Sequence, residues 1–224
     1  MDSYLLELRL SEDAKGFVKQ LILEIAHKFN VKGATVYRVV PHVSVVGPFN
    51  TAHEKRMITD VATVCRKYEL MSFQFNGYRS FGNFLTGNRV LAVKIEASDE
   101  LKQLRCDLVK ALSGYCELGK FDQKKWNPHS TLALKDLDDK FKDIKNFLDK
   151  QDCPKIEHYV LRLTVLKKVS EIRRHDMKGA KILYEYDFFL KRGLTREEAL
   201  NWRITQKTKA ALKDRLFVLG ISGK

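Results

Sequence analysis

Two short segments of this sequence pair an imidazole with a hydroxyl two residues further on: Pro41-His42-Val43-Ser44-Val45 and Pro128-His129-Ser130-Thr131-Leu132. In a β-strand, residues i and i+2 project from one face, so His42 stands beside Ser44 and His129 beside Thr131. Gathered around one point, two imidazoles and two hydroxyls suit an anionic phosphate. One histidine can take a proton from an attacking oxygen while the other gives one to the leaving oxygen, because an unperturbed imidazole titrates near pH 6.5 and serves either role. The hydroxyls then hold the non-bridging oxygens, where charge gathers in the transition state. This chemistry calls for no metal and no cofactor.

With six histidines in the chain, chance alone supplies roughly half a match to His-x-Ser/Thr. The surrounding pattern carries the inference instead. Both motifs follow a proline, both lie in short apolar runs, and both fall at the same offset in a repeat. Residues 4–10 alternate as a half-buried strand, Ser11 with Glu12 and Asp13 reads as a helix start, and Phe17, Leu21, Ile25 and Phe29 recur every fourth residue. A strand over 35–46 contains His42, a helix covers about 53–68, and a strand covers 72–81. The order then starts again with a strand at 90–97, the cap Ser98 with Asp99 and Glu100, a helix through Leu101, Leu104, Leu108 and Leu112, and the strand that begins at His129. A helix near 138–148 and a strand over 157–168 complete it. Ser11 to His42 and Ser98 to His129 are both separations of 31 residues. The chain thus reads as two βαβαβ halves, each with one histidine at the corresponding place in its second strand. A further strand at 181–190 and helices at 195–200 and 203–219 follow, the first with the Thr195/Glu198 pattern of a capping box.

The 224 residues, 44% hydrophobic, suffice for a sizeable core. Cys65, Cys106, Cys116 and Cys153 lie far apart with no Cys-x-x-Cys pair, which argues against a disulfide framework and against a cysteine zinc site. Cys65 and Cys106 sit in helix patterns and read as buried, inert thiols. A cytoplasmic protein with no membrane span is expected. The net charge of +13 draws phosphate-bearing partners without specifying a reaction. From 191 to 224 nine basic residues face three acidic ones, which fits a solvated helix face and a nucleic-acid footprint equally well.

The two motif segments resemble the paired His-x-Ser/Thr signatures of the two-histidine (2H) phosphoesterase superfamily, which includes the RNA 2′,3′-cyclic phosphodiesterases also called 2′-5′ RNA ligases. The resemblance covers about residues 3–190. It implies an α+β, bilobal, pseudo-twofold fold in which two antiparallel sheets flank a central cleft. It further implies His42 and His129 as catalytic residues, Ser44 and Thr131 as phosphate ligands, and hydrolysis of an RNA 2′,3′-cyclic phosphate to a 2′-phosphate. Ligation or cleavage at a 2′-5′ linkage is the first alternative, and an RNA- or nucleotide-binding module without turnover is the second.

The expected organisation is a phosphoesterase domain over 1–190, with lobes of about 1–88 and 89–190 that exchange strands, and a basic helical extension over 191–224. The expected partner is RNA bearing a 2′,3′-cyclic phosphate or a 2′-5′ linkage, bound by a monomer. Phe49, Phe81 and Phe84 are candidates to stack on a base, and Arg173 and Arg174 are candidates to contact the RNA backbone. His27, His53, His158 and His175 have no such setting and read as structural.

Overall fold

The computed structural model describes residues 2–31, 40–82, 89–134, 136–137, 139–168 and 180–221. In the first half β1 (Asp2–Arg9), α1 (Glu12–Phe29), β2 (His42–Thr51), α2 (Glu54–Cys65) and β3 (Ser72–Phe81) follow one another. The second half runs β4 (Val90–Ala97), α3 (Asp99–Leu112), β5 (His129–Leu134), α4 (Phe141–Asp149), β6 (Glu157–Tyr159) and β7 (Arg162–Lys168). Beyond it lie β8 (Ala180–Asp187), β9 (Arg192–Leu194), α5 (Arg196–Leu200) and α6 (Trp202–Val218).

The strands form two antiparallel sheets, of order β2-β1-β7-β8-β9 and β5-β4-β3-β6. Each half keeps its first two strands together and sends its third to the other half's sheet. The order β2-β1-β7 in one sheet therefore repeats as β5-β4-β3 in the other, and this is the pseudo-twofold. Helices are exchanged in the same way: α1 and α4 touch β5 and β3 of the second sheet, while α2 and α3 touch β8 and β2 of the first. An amphipathic helix must bury its apolar stripe, and α1 does so through Ala14, Val18, Leu21, Ile22 and Ile25. The helix-covered side of the first sheet holds Leu6, Leu8, Val43, Leu163 and Val165, all 1% exposed or less. The opposite faces of the two sheets flank the cleft.

Three expectations change. The strand over 157–168 is two strands, because the Val160 N–H bonds the Met71 carbonyl (2.8 Å) while the Leu161 carbonyl accepts the Phe188 N–H (3.0 Å). The chain thus changes sheets within two residues. Of the strand over 35–46, β2 takes the part from His42 onward, and residues 35–39 lie outside the described residues. The first sheet continues past residue 190, since β9 pairs with β8 through Glu185–Leu194 and Tyr186–Gly193.

Local signals vary in outcome. Ser98 accepts the Leu101 N–H as an N-cap, but Ser11 makes no side-chain cap bond. The Thr195/Glu198 capping box forms in full. Cys65 is buried, and burial pushes its thiol up, whereas Cys106 is exposed rather than in the core. No helix among the described residues is long and apolar enough to cross a membrane.

The C-terminal helices dock through one buried ionic cluster. Arg162 on β7 meets Asp187 on β8 at 3.0 Å and donates to the Ala199 carbonyl at 2.9 Å, and the Thr208 hydroxyl of α6 donates to Asp187 at 2.6 Å. Lys209 adds an ion pair to Glu12 at 2.5 Å. A buried carboxylate is tolerated where its charge and lone pairs are met in this way.

His158 on β6 is buried against Phe73, with ring centroids 4.9 Å apart, and burial lowers its pKa to about 4. The unfolded chain takes up this proton near pH 6.5 and the folded chain resists it until about pH 4, so stability falls as pH drops through that window. The loss should reach about 3 kcal/mol at the acid end. Urea denaturation of His158→Gln should show a shallower pH dependence than wild type between pH 4 and 7. Identical slopes would mean that His158 is not held neutral.

Candidate active site

His42 opens β2 and His129 opens β5, and the two strands lie in contact with each other. Cross-strand register fixes their neighbours on the cleft face. Arg9 is opposite His42 and Glu7 opposite Ser44 on β1, whereas Lys94 is opposite His129 and Ala92 opposite Thr131 on β4. Directly paired residues project to the same face, so both histidines and both hydroxyls line the side of their sheet opposite to the one that α1–α4 cover.

The two rings are held by the same device. Nδ1 of His42 lies 3.0 Å from the Val40 carbonyl oxygen, and Nδ1 of His129 lies 2.9 Å from that of Asn127. A carbonyl only accepts, so Nδ1 carries the proton in each neutral ring and Nε2 carries the lone pair. The prolines at 41 and 128 occupy the residue between, and their fixed φ sets the bend that brings each carbonyl back to its ring.

Beyond this device the settings differ. His42 is 6% exposed, with Glu7 Oε2 at 3.6 Å from Nδ1, and Glu7 itself is 2% exposed and accepts from Arg9 Nε at 3.1 Å. His129 is half-buried against Phe81, with ring centroids 4.5 Å apart, and the Arg79 guanidinium lies 4.5 Å from the centroid of that phenyl ring.

A loop before β5 ties the second motif to the first. The Trp126 indole N–H donates to the Ser44 carbonyl at 3.1 Å. The Gly47 N–H meets both oxygens of Asp122 at 3.1 and 3.2 Å, and Asp122 is paired in turn with buried Arg105. Gly47 has φ +109, and a Cβ there would stand 2.9 Å from the Tyr4 carbonyl, so the position excludes a side chain.

The candidate residues fare unequally. The geometry brings His42, Ser44, His129, Thr131 and Phe81 to the cleft faces. Phe49 is instead a core residue, 1% exposed and stacked on Tyr4 at 5.9 Å, because it falls on the helix-covered face of β2 and so has no surface for a base. Phe84, Arg173 and Arg174 lie outside the described residues. Glu7, Arg9, Lys94 and Arg79 were not found from the sequence. Their signal lay in pairing register, which the order of residues does not display. Among the described residues no three His, Cys, Asp or Glu side chains gather as a metal ligand set.

Two sheets across a cleft, with a His-x-Ser/Thr motif at matching places in each, make this a 2H phosphoesterase fold. The family model of the 2′-5′ RNA ligase superfamily matches residues 18–171, more than half of the chain, and the protein belongs to that superfamily. Among solved structures it is similar to TT0787 of Thermus thermophilus, at 15% identity over 83% of this chain and 97% of that one, with a TM-score of 0.51. It is also similar to E. coli LigT complexed with 3′-AMP (12%, 84% and 97%, 0.49) and to Kluyveromyces marxianus Usb1 with uridine monophosphate (15%, 81% and 97%, 0.45). A search of curated protein sequences returned no match.

The clamp should matter more to stability through its charge than through its indole. Asp122→Ala leaves buried Arg105 its backbone acceptors at Phe121 and Asp122 but removes its counter-charge and the acceptor of the Gly47 N–H, and should cost about 3 kcal/mol. Trp126→Phe removes one hydrogen bond and should cost about 1 kcal/mol. Urea midpoints of the two variants test the order, and a larger loss for Trp126→Phe would contradict it.

Proposed function

We propose that the protein hydrolyses 2′,3′-cyclic phosphate at the end of an RNA to a 2′-phosphate, without a metal. His129 takes a proton from the attacking water through Nε2, the P–O3′ bond breaks as the new P–O bond forms, and His42 protonates the departing 3′ oxygen. Ser44 and Thr131 donate to the non-bridging oxygens. The observation that carries this reading is the matched pair of Nδ1-to-carbonyl bonds, which presents Nε2 of each ring as the atom that exchanges a proton. Ligation through a 2′-5′ linkage uses the same two rings in exchanged roles, and membership of a superfamily named for that activity keeps it as the second reading.

Replacing His42 or His129 with Ala should lower turnover of a nucleoside 2′,3′-cyclic phosphate by about two to four orders of magnitude with the fold intact. Activity should survive excess EDTA and follow a bell-shaped pH profile, because one ring must be neutral and the other protonated. No turnover by the wild type, with the nucleotide merely bound, would favour a binding module. Loss of activity in chelator would overturn the two-histidine mechanism.

The basic outer face of α6 should contribute affinity for longer RNA and not chemistry. Arg203, Lys207 and Lys213 are exposed there, while Lys209 is engaged by Glu12. Changing those three to Gln should raise KM for an oligonucleotide and reduce its log–log salt slope by up to about 2. The kcat for a mononucleotide cyclic phosphate should stay within error. If neither substrate responds, this face has no part in RNA binding.

A further inference from the structure

The pseudo-twofold superposes the two motifs but not what lies beside them. Its matched rows are Ser44–Glu7–Thr164–Glu185 in the first sheet and Thr131–Ala92–Arg79 in the second. Glu7 and Ala92 are equivalent positions, each on the central neighbour of a motif strand and opposite the motif hydroxyl. One half therefore has a buried carboxylate beside its histidine where the other has a methyl group that is 0% exposed. The third positions diverge in the same sense. The Thr164 hydroxyl donates to Glu185 at 2.9 Å, whereas Arg79 places a cation over the ring that packs on His129.

We infer that Glu7 is a positioning residue that makes the two histidines inequivalent, holding His42 in its protonated form and so fixing it as the proton donor of the reaction proposed above. The inference rests on that reading for the word donor, but not for the coupling between the two side chains. Glu7 Oε2 is 3.6 Å from Nδ1 of His42, and a carboxylate at that range favours the imidazolium against the burial that by itself disfavours it. Other charges share this face. Arg9 meets Oε1 of Glu7 at 3.1 Å and so aims the carboxylate, while dividing its field. Arg162 and Asp187 offset each other at 3.0 Å, and Glu185 adds a second negative charge on the same row, two strands from Glu7. From the second sheet His129, Lys94 and Arg79 face the cleft, and all of them act against a second imidazolium there. At the position that matches Glu7, the second half has the methyl group of Ala92, so the charge that Glu7 sets beside His42 has no counterpart at that place on β4.

Glu7→Gln keeps the shape and the Arg9 acceptor and removes the charge. In protein labelled with 13C at histidine, the wild type should show His42 titrating at higher pH than His129. In Glu7→Gln the His42 midpoint should fall by about one pH unit or more, with that of His129 within a few tenths. In the rate assay, the basic limb of the kcat/KM profile should move down by the same amount while the acidic limb stays. Glu7→Asp, which restores the charge on a shorter stem, should recover part of the shift. The inference is overturned if His42 titrates below His129 in the wild type, if its midpoint is unmoved in Glu7→Gln, or if both histidines shift equally. Should Glu7→Gln not fold, the wild-type titration order alone decides. Should the wild type turn over no cyclic phosphate, the proposed reaction fails, and the titrations still decide whether Glu7 governs His42.

Discussion

Everything in this molecule that concerns two histidines acting together depends on the loop that fastens β5 to β2. The motifs are 87 residues apart in sequence, and each is rigid within its own sheet, yet rigidity within a sheet says nothing about the distance between sheets. The Trp126 indole on the Ser44 carbonyl and the Asp122 carboxylate on the Gly47 N–H supply that relation. Both bonds end on backbone atoms of β2. They therefore fix the strand itself rather than a side chain that could rotate away. Arg105 anchors the far side of the loop to α3, so the clamp is braced against the helix layer of the first sheet.

Strand exchange makes the clamp workable. Because β3 and β7 each join the opposite sheet, neither half can move without dragging a central pairing of the other. The crossover at Val160 and Leu161 is bonded on both sides within two residues, which leaves little slack between the sheets. A cleft built in this way is a stiff two-walled slot, suited to groups that must exchange protons over a fixed separation.

Duplication produced the slot, and departures from duplication give it direction. Identical Nδ1 anchors present the two imidazoles alike, while the residues beside them differ in charge. In the proposed reaction, which needs one acid and one base, two equal rings would gain nothing, and the difference would have to come from the second row of side chains. The C-terminal helices add to the same wall: their docking cluster of Arg162, Asp187 and Thr208 sits on the cleft face of β7 and β8, which the sequence presented only as a tail.

The repeat, the two motifs and the α+β class were legible in the residues themselves, because period-two and period-four burial, proline placement and the spacing of 31 between cap and histidine are local properties of a chain. The fate of Phe49 was not, since two residues beyond a glycine bulge decide which face of β2 it takes, and that face is the one α3 covers. Nor were Glu7, Ala92, Lys94 and Arg79, whose meaning arises only from the partner across the strand, a relation set by register between segments far apart in sequence. The sequence by itself determined which groups could do proton chemistry on a phosphate. Tertiary structure alone decided that one of them stands beside a buried carboxylate and the other beside an aromatic ring and a cation, because the field at an ionisable group is the work of neighbours in space and not of neighbours in the chain.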